Sequence, residues 1–219
     1  MQDLKYIEIE TNPNPTASVI WLHGLGASGH DFEPVVPELG LPADAAVRFI
    51  FPHAPNLPVT INGGMRMPAW YDIKAMDIDR VVDKEQLMAS SDAVARLVDQ
   101  EIERGVKSEN ILIAGFSQGG AVAYELGLSY PKRLAGIIAL STYFATAETV
   151  AVSAANKGIP INIYHGTRDP MVPESLGRTS VQKLEQLGFS PSYKTFPMEH
   201  SVCLEEVQEI GQFIRSRVL

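Results

Sequence analysis

The chain has 219 residues, enough for one well-cored α/β domain and short for two. Its 45% hydrophobic and 20% charged residues are ordinary for a globular protein, and a formal charge of −8 argues against a general nucleic-acid binder. A single cysteine, Cys203, rules out an intramolecular disulfide and fits a reducing compartment.

The N-terminal stretch Met1–Tyr6 lacks a basic region followed by an apolar one, so it does not read as a signal peptide. No run of about 18 apolar residues occurs, so no membrane span and no integral membrane association are expected, and the expected location is cytoplasmic. Lys5–Glu10 and Ser18–Leu22 read as strands, and a Gly-rich loop, Leu22–Asp31, follows the second. Val47–Pro52 is a third strand. Residues 53–82, rich in Pro, Gly, Met and aromatics, break the pattern and read as a substrate-side loop. From Asp83 to Arg104, the residues Leu87, Val94, Leu97, Val98 and Ile102 recur at helical spacing. Strand Ile111–Phe116 and a helix over Gly119–Leu128 come next, then strands Gly136–Leu140 and Ile161–His165. A helix over Glu174–Leu187, a strand at Ser192–Phe196 and a last helix marked by Val207, Ile210, Ile214 and Val218 complete the chain. Gly105 and Gly188 fall just past their helices, where a left-handed cap is wanted. No repeat, linker or low-complexity tract interrupts this alternation, so the expected fold is α/β with strands covered on both faces.

The most informative segment is Gly115-Phe116-Ser117-Gln118-Gly119, between a buried strand and a helix rich in small residues. That context makes it a nucleophile elbow, a turn sharp enough to push the serine out at the strand's end. A neutral serine needs a base, and histidine matches best because its pKa lies near working pH. In this kind of sheet the order along the chain is Ser, then acid, then His. His165 and His200 lie downstream. Asp169 follows a strand end in Thr167-Arg168-Asp169-Pro170, and an acid that precedes the base leaves His200 as the base. Asp31 and Glu199 are rival carboxylates, one before the serine and one adjacent to the histidine. A turn role for Asp169 and a helix-capping role for His200 are the competing structural readings. The oxyanion formed on attack needs N–H donors. Gln118, after the nucleophile, offers one, and Leu25 in the Gly-rich loop the other. Cys203 reads as a small apolar contact, and His23, His30 and His53 read as structural hydrogen-bonding residues. No cofactor motif and no metal-ligand cluster is visible, so neither is expected.

The motifs Leu22-His23-Gly24-Leu25-Gly26, Pro52-His53-Ala54-Pro55, Met67–Asp72, Gly115–Gly120, His165-Gly166 with Asp169–Pro173, and His200 together resemble the small carboxylesterases and acyl-protein thioesterases of the phospholipase/carboxylesterase family. The resemblance implies a single α/β-hydrolase domain without a large cap. It implies Ser117, Asp169 and His200 as triad, Leu25 and Gln118 as the oxyanion hole, and Trp70, Ile73, Met76 and Met171 as lining of a shallow acyl groove. It also implies short- and medium-chain esters or thioesters, lysophospholipids or S-acylated proteins as substrates, and a homodimer paired through the active face. Met171 stands where leucine is common, a volume-conserving change that bears on acyl length. A non-catalytic binding protein on the same scaffold, docking through the Trp70 and methionine loop, is the competing reading.

Overall fold

The computed structural model describes residues 4–76 and 80–219; residues 1–3 of the N-terminal stretch and 77–79 of the substrate-side loop lie outside the described residues. In chain order the strands are β1 (Tyr6–Glu10), β2 (Ala17–Leu22), β3 (Val47–Pro52), β4 (Asn56–Val59), β5 (Met65–Pro68), β6 (Ile73–Ala75), β7 (Val81–Val82), β8 (Ile111–Phe116), β9 (Gly136–Leu140), β10 (Ile161–Gly166) and β11 (Ser192–Phe196). The helices are α1 (Lys84–Glu103), α2 (Gln118–Ser129), α3 (Glu174–Gln186) and α4 (Leu204–Val218).

The two-residue period of a strand explains the apolar runs. Every residue of β2 is buried, because successive side chains enter opposite cores. Ile20 and Leu22 join Ile111 and Ile113 of β8, Leu97 of α1, Val122 of α2 and Leu184 of α3 on one face. Val19 and Trp21 join Leu112, Ala114 and the α4 residues Val207, Ile210 and Ile214 on the other. The sheet runs β1-β3-β2-β8-β9-β10-β11, with β1 antiparallel to β3 and the remaining neighbours parallel.

Parallel strands end at a common edge, and the register sets what meets there. Leu22 pairs with Gly115 and Phe116 with Leu140, so the chain leaves β2, β8 and β9 at adjacent points. Gly166 pairs with Phe196 at the ends of β10 and β11. The edge loops are stitched together, with Thr167 N–H donating to the Phe196 carbonyl (2.9 Å) and Arg168 N–H to that of Met198 (3.1 Å).

The 53–82 segment, expected as an irregular loop, has regular structure of its own. β4 and β5 form one antiparallel ribbon, and β6 pairs with β7 in another. These strands are short, and Pro58 and Pro68 stand in them, so the period-2 pattern is too brief to stand out from a loop. Elsewhere the expected elements are present, with Asp83 capping α1 by accepting a bond from Gln86 N–H (3.0 Å).

Candidate active site

Ser117 sits between β8 and α2 at φ 54°, ψ −119°. A non-glycine residue at positive φ costs about 1–3 kcal/mol, so its surroundings must enforce the turn. Ser117 N–H donates to the Leu140 carbonyl (2.8 Å), and Thr142 Oγ1 donates to the Ser117 carbonyl (2.6 Å). Gly115 is forced by close approach, since a Cβ there would lie 2.3 Å from the Gly119 carbonyl oxygen.

The turn aims Ser117 Oγ at His200, whose Nε2 is 2.9 Å away. His200 Nδ1 lies 2.6 Å from Asp169 Oδ2. The second carboxylate oxygen, Oδ1, accepts the N–H groups of Met171 (2.9 Å) and Val172 (2.8 Å). Asp169 is therefore both a turn residue and the acceptor for His200, with one oxygen for each task. Burial pushes its carboxyl up, but the His200 bond and the two N–H donors outweigh burial and hold it below its ordinary value. The His200 ring is steadied by Phe116, with ring centroids 4.7 Å apart.

The Gly-rich loop after β2 comes close to the serine: a Cβ on Gly24 would be 3.4 Å from Ser117 Cβ. Leu25 and Gln118 both border the cleft beside Ser117. His23 braces the loop. Its Nε2 accepts Ala54 N–H (3.1 Å), so Nδ1 carries the proton donated to the Gly24 carbonyl (2.7 Å), and burial lowers the ring's pKa.

The family model for phospholipase/carboxylesterase matches residues 4–218. The chain belongs to the phospholipase/carboxylesterase family. It is 38% identical over 214 residues to acyl-protein thioesterase 1 of Gibberella zeae, covering 93% of this chain and 91% of that protein. It is 40% identical to acyl-protein thioesterase 1 of Neurospora crassa, with 93% and 87% covered. Among solved structures, Zea mays acyl-protein thioesterase 2 superposes with a TM-score of 0.87 at 27% identity, covering 98% and 99% of the two chains. Arabidopsis thaliana SOBER1 gives 0.86 at 31% identity, covering 93% and 99%.

Within this family member, the residues expected to line the groove separate into two groups. Ile73, Met76 and Met171 border a cleft of about 390 Å³ that opens at Ser117 and His200. Trp70 does not, which corrects the expectation from resemblance. It is fully buried, its indole Nε1 donates to the His23 carbonyl (2.8 Å), and its backbone N–H donates to Gln118 Oε1 (2.7 Å). An indole N–H taken out of water needs an acceptor, and the one it finds faces inward. Gln118 Nε2 donates to the Tyr71 carbonyl (2.6 Å), so one side chain fastens the elbow to the 53–82 segment. Asp72 ties the same segment to itself by accepting Thr60 N–H (2.7 Å) and Thr60 Oγ1–H (2.6 Å).

Sequence reading missed Tyr143, Ile61, Met67 and Arg80, which also border the cleft. Tyr143 follows the carboxyl end of β9, and searching every strand end at that edge would have found it. Cys203 precedes α4 and is partly buried; burial pushes its thiol up, which disfavours the thiolate that a nucleophile requires.

Proposed function

We infer that this chain is a serine hydrolase of carboxylic esters and thioesters, with Ser117 as nucleophile. The reading rests on the relay of 2.9 Å from Ser117 Oγ to His200 Nε2 and 2.6 Å from His200 Nδ1 to Asp169 Oδ2. As Ser117 Oγ bonds to the acyl carbon, its proton passes to His200 Nε2, and Asp169 Oδ2 stabilises the imidazolium. The carbonyl oxygen becomes an oxyanion, held by the backbone N–H groups of Leu25 and Gln118. Collapse breaks the bond to the alcohol or thiol, which takes the proton from His200. Water then repeats the sequence on the acyl-enzyme and releases the acid.

The acyl chain lies along Ile73, Met76 and Met171. Met76 and Met171 are 46% and 53% exposed, so the cleft is open along this side and a large leaving group can stay in solvent. That suits an S-acylated protein, the substrate named for the fungal relatives. Short- and medium-chain esters and lysophospholipids fit the same chemistry. A cytoplasmic setting and a homodimer through the apolar rim of the cleft belong to this proposal.

The test is Ser117→Ala against a p-nitrophenyl ester, with a fluorophosphonate probe in parallel. Turnover should fall by roughly 10⁴- to 10⁶-fold, and the probe should label the wild type at Ser117. Near-wild-type turnover in the variant, or an unlabelled wild type, would favour the binding-protein reading.

A further inference from the structure

His165, at the end of β10, is fully buried and stands outside the proton path from Ser117 to Asp169. Its Nε2 lies 2.8 Å from the Val172 carbonyl oxygen. A carbonyl only accepts, so Nε2 carries the ring proton and Nδ1 is bare. Nδ1 is buried and has no hydrogen-bond partner among the described residues. The helix behind the ring meets it with bare backbone: a Cβ at Gly177 of α3 would lie 2.5 Å from Nδ1 and 3.2 Å from the Tyr193 hydroxyl, which donates to Glu174. Burial holds the imidazole's pKa below its ordinary value, against the opposing pull of the Val172 carbonyl and the Asp169 and Glu174 carboxylates. The neutral ring therefore spends its N–H on the Val172 carbonyl, while Asp169 Oδ2, 3.8 Å from Nε2, bonds His200 instead.

Val172 is gripped from both ends, by its carbonyl at His165 and by its N–H at Asp169 Oδ1. We propose that His165 is a positioning residue: by clamping Val172 it fixes Asp169 so that Oδ1 stays on the turn and Oδ2 is left for His200. The proposal rests on the triad assigned above. A neutral ring serves this purpose better than a cation, which would draw Asp169 Oδ2 away from His200.

The test compares His165→Gln, whose Nε2 reaches the level of the lost donor, with His165→Asn, whose amide stops short, and His165→Phe, which keeps a ring and loses the donor. Gln should retain most of kcat. Asn and Phe should lose about 10- to 100-fold in kcat, with KM changed less, because Val172 and Met171 border the cleft while its other lining residues keep their places. The acid limb of their kcat/KM profile should move to lower pH, since a misaligned Asp169 stabilises the imidazolium less. Equal damage in folded Gln and Phe variants, or wild-type kcat in Asn and Phe, overturns the proposal. If Phe does not fold, the Gln and Asn pair carries the comparison. Histidine-labelled NMR of the wild type gives a readout independent of turnover: at neutral pH the His165 proton should sit on Nε2, with Nδ1 unprotonated. A ring proton on Nδ1 instead of Nε2 at neutral pH overturns the proposal. A wild type without Ser117-dependent turnover would remove the functional reading while leaving the NMR result to judge His165.

Discussion

A single carboxyl in α4 couples this fold to pH. Glu206 is fully buried in the helix's first turn, and burial pushes its pKa up to about 8, against the opposing pull of the Cys203 N–H. A carboxyl raised from its ordinary value of 4.5 binds a proton in the folded state that the unfolded chain has already released. Its contribution is complete below the unfolded value and is lost as pH rises to about 8, at about 1.4 kcal/mol per pH unit. Asp169 has the opposite sign, its lowered carboxyl losing its contribution only as pH falls below the ordinary carboxylate range. Urea unfolding across the neutral range should therefore show the wild type losing stability relative to Glu206→Gln as pH rises toward 8. Parallel curves for the two proteins would contradict the burial argument.

At the scale of elements, the antiparallel edge of the sheet is tied to α1 by charge rather than by apolar packing alone. Arg48 of β3 donates to Glu101 of α1 (2.7 Å) and to Glu10 of β1 (2.8 Å), and Ser18 of β2 also donates to Glu101. Arg104 extends the network to Glu8 (2.6 Å). Glu101 is 1% exposed, so its removal leaves Arg48 buried without its innermost partner. Glu101→Ala should cost about 3–5 kcal/mol in thermal or urea unfolding. The network lies on the β1 side of the sheet and borders none of the cleft, so kcat should be unchanged at temperatures where the variant is folded. A fall in kcat without a fall in stability would show that the two regions are coupled.

For the whole molecule, the cleft has an apolar rim that stands in solvent. Met76 and Met171, which border the cleft, are large apolar side chains left in solvent, and Met65 (64% exposed) and Val81 are exposed elsewhere on the 53–82 segment. Grouped exposed apolar residues are costly to a monomer and mark contact surfaces. The proposed homodimer through this face predicts that the wild type sediments as a dimer and that Met76→Glu with Met171→Glu yields a folded monomer. A wild type that sediments as a monomer at assay concentration would remove the dimer and leave the hydrolase reading intact.

The sheet, its helices and the candidate Ser117, Asp169 and His200 were legible because their signals are local. Apolar periodicity gives strands and helices, and a Gly-x-Ser-x-Gly turn or a strand-end loop depends on a handful of neighbouring residues. Trp70 was misread because a side chain's direction is set by contacts distant in sequence, here the His23 carbonyl 47 residues away. The ribbons of residues 53–82 were missed because their pairing is short, and Tyr143 because it reaches the cleft only after β9 takes its place beside β8. His165 shows the boundary most sharply. Its position at a strand end could be read from the chain, but its tautomer follows from a carbonyl seven residues on and its neutrality from burial beneath α3. Local chemistry names the elements and the reactive groups; packing decides which way each group points and which proton it holds, because both depend on neighbours that only folding brings together.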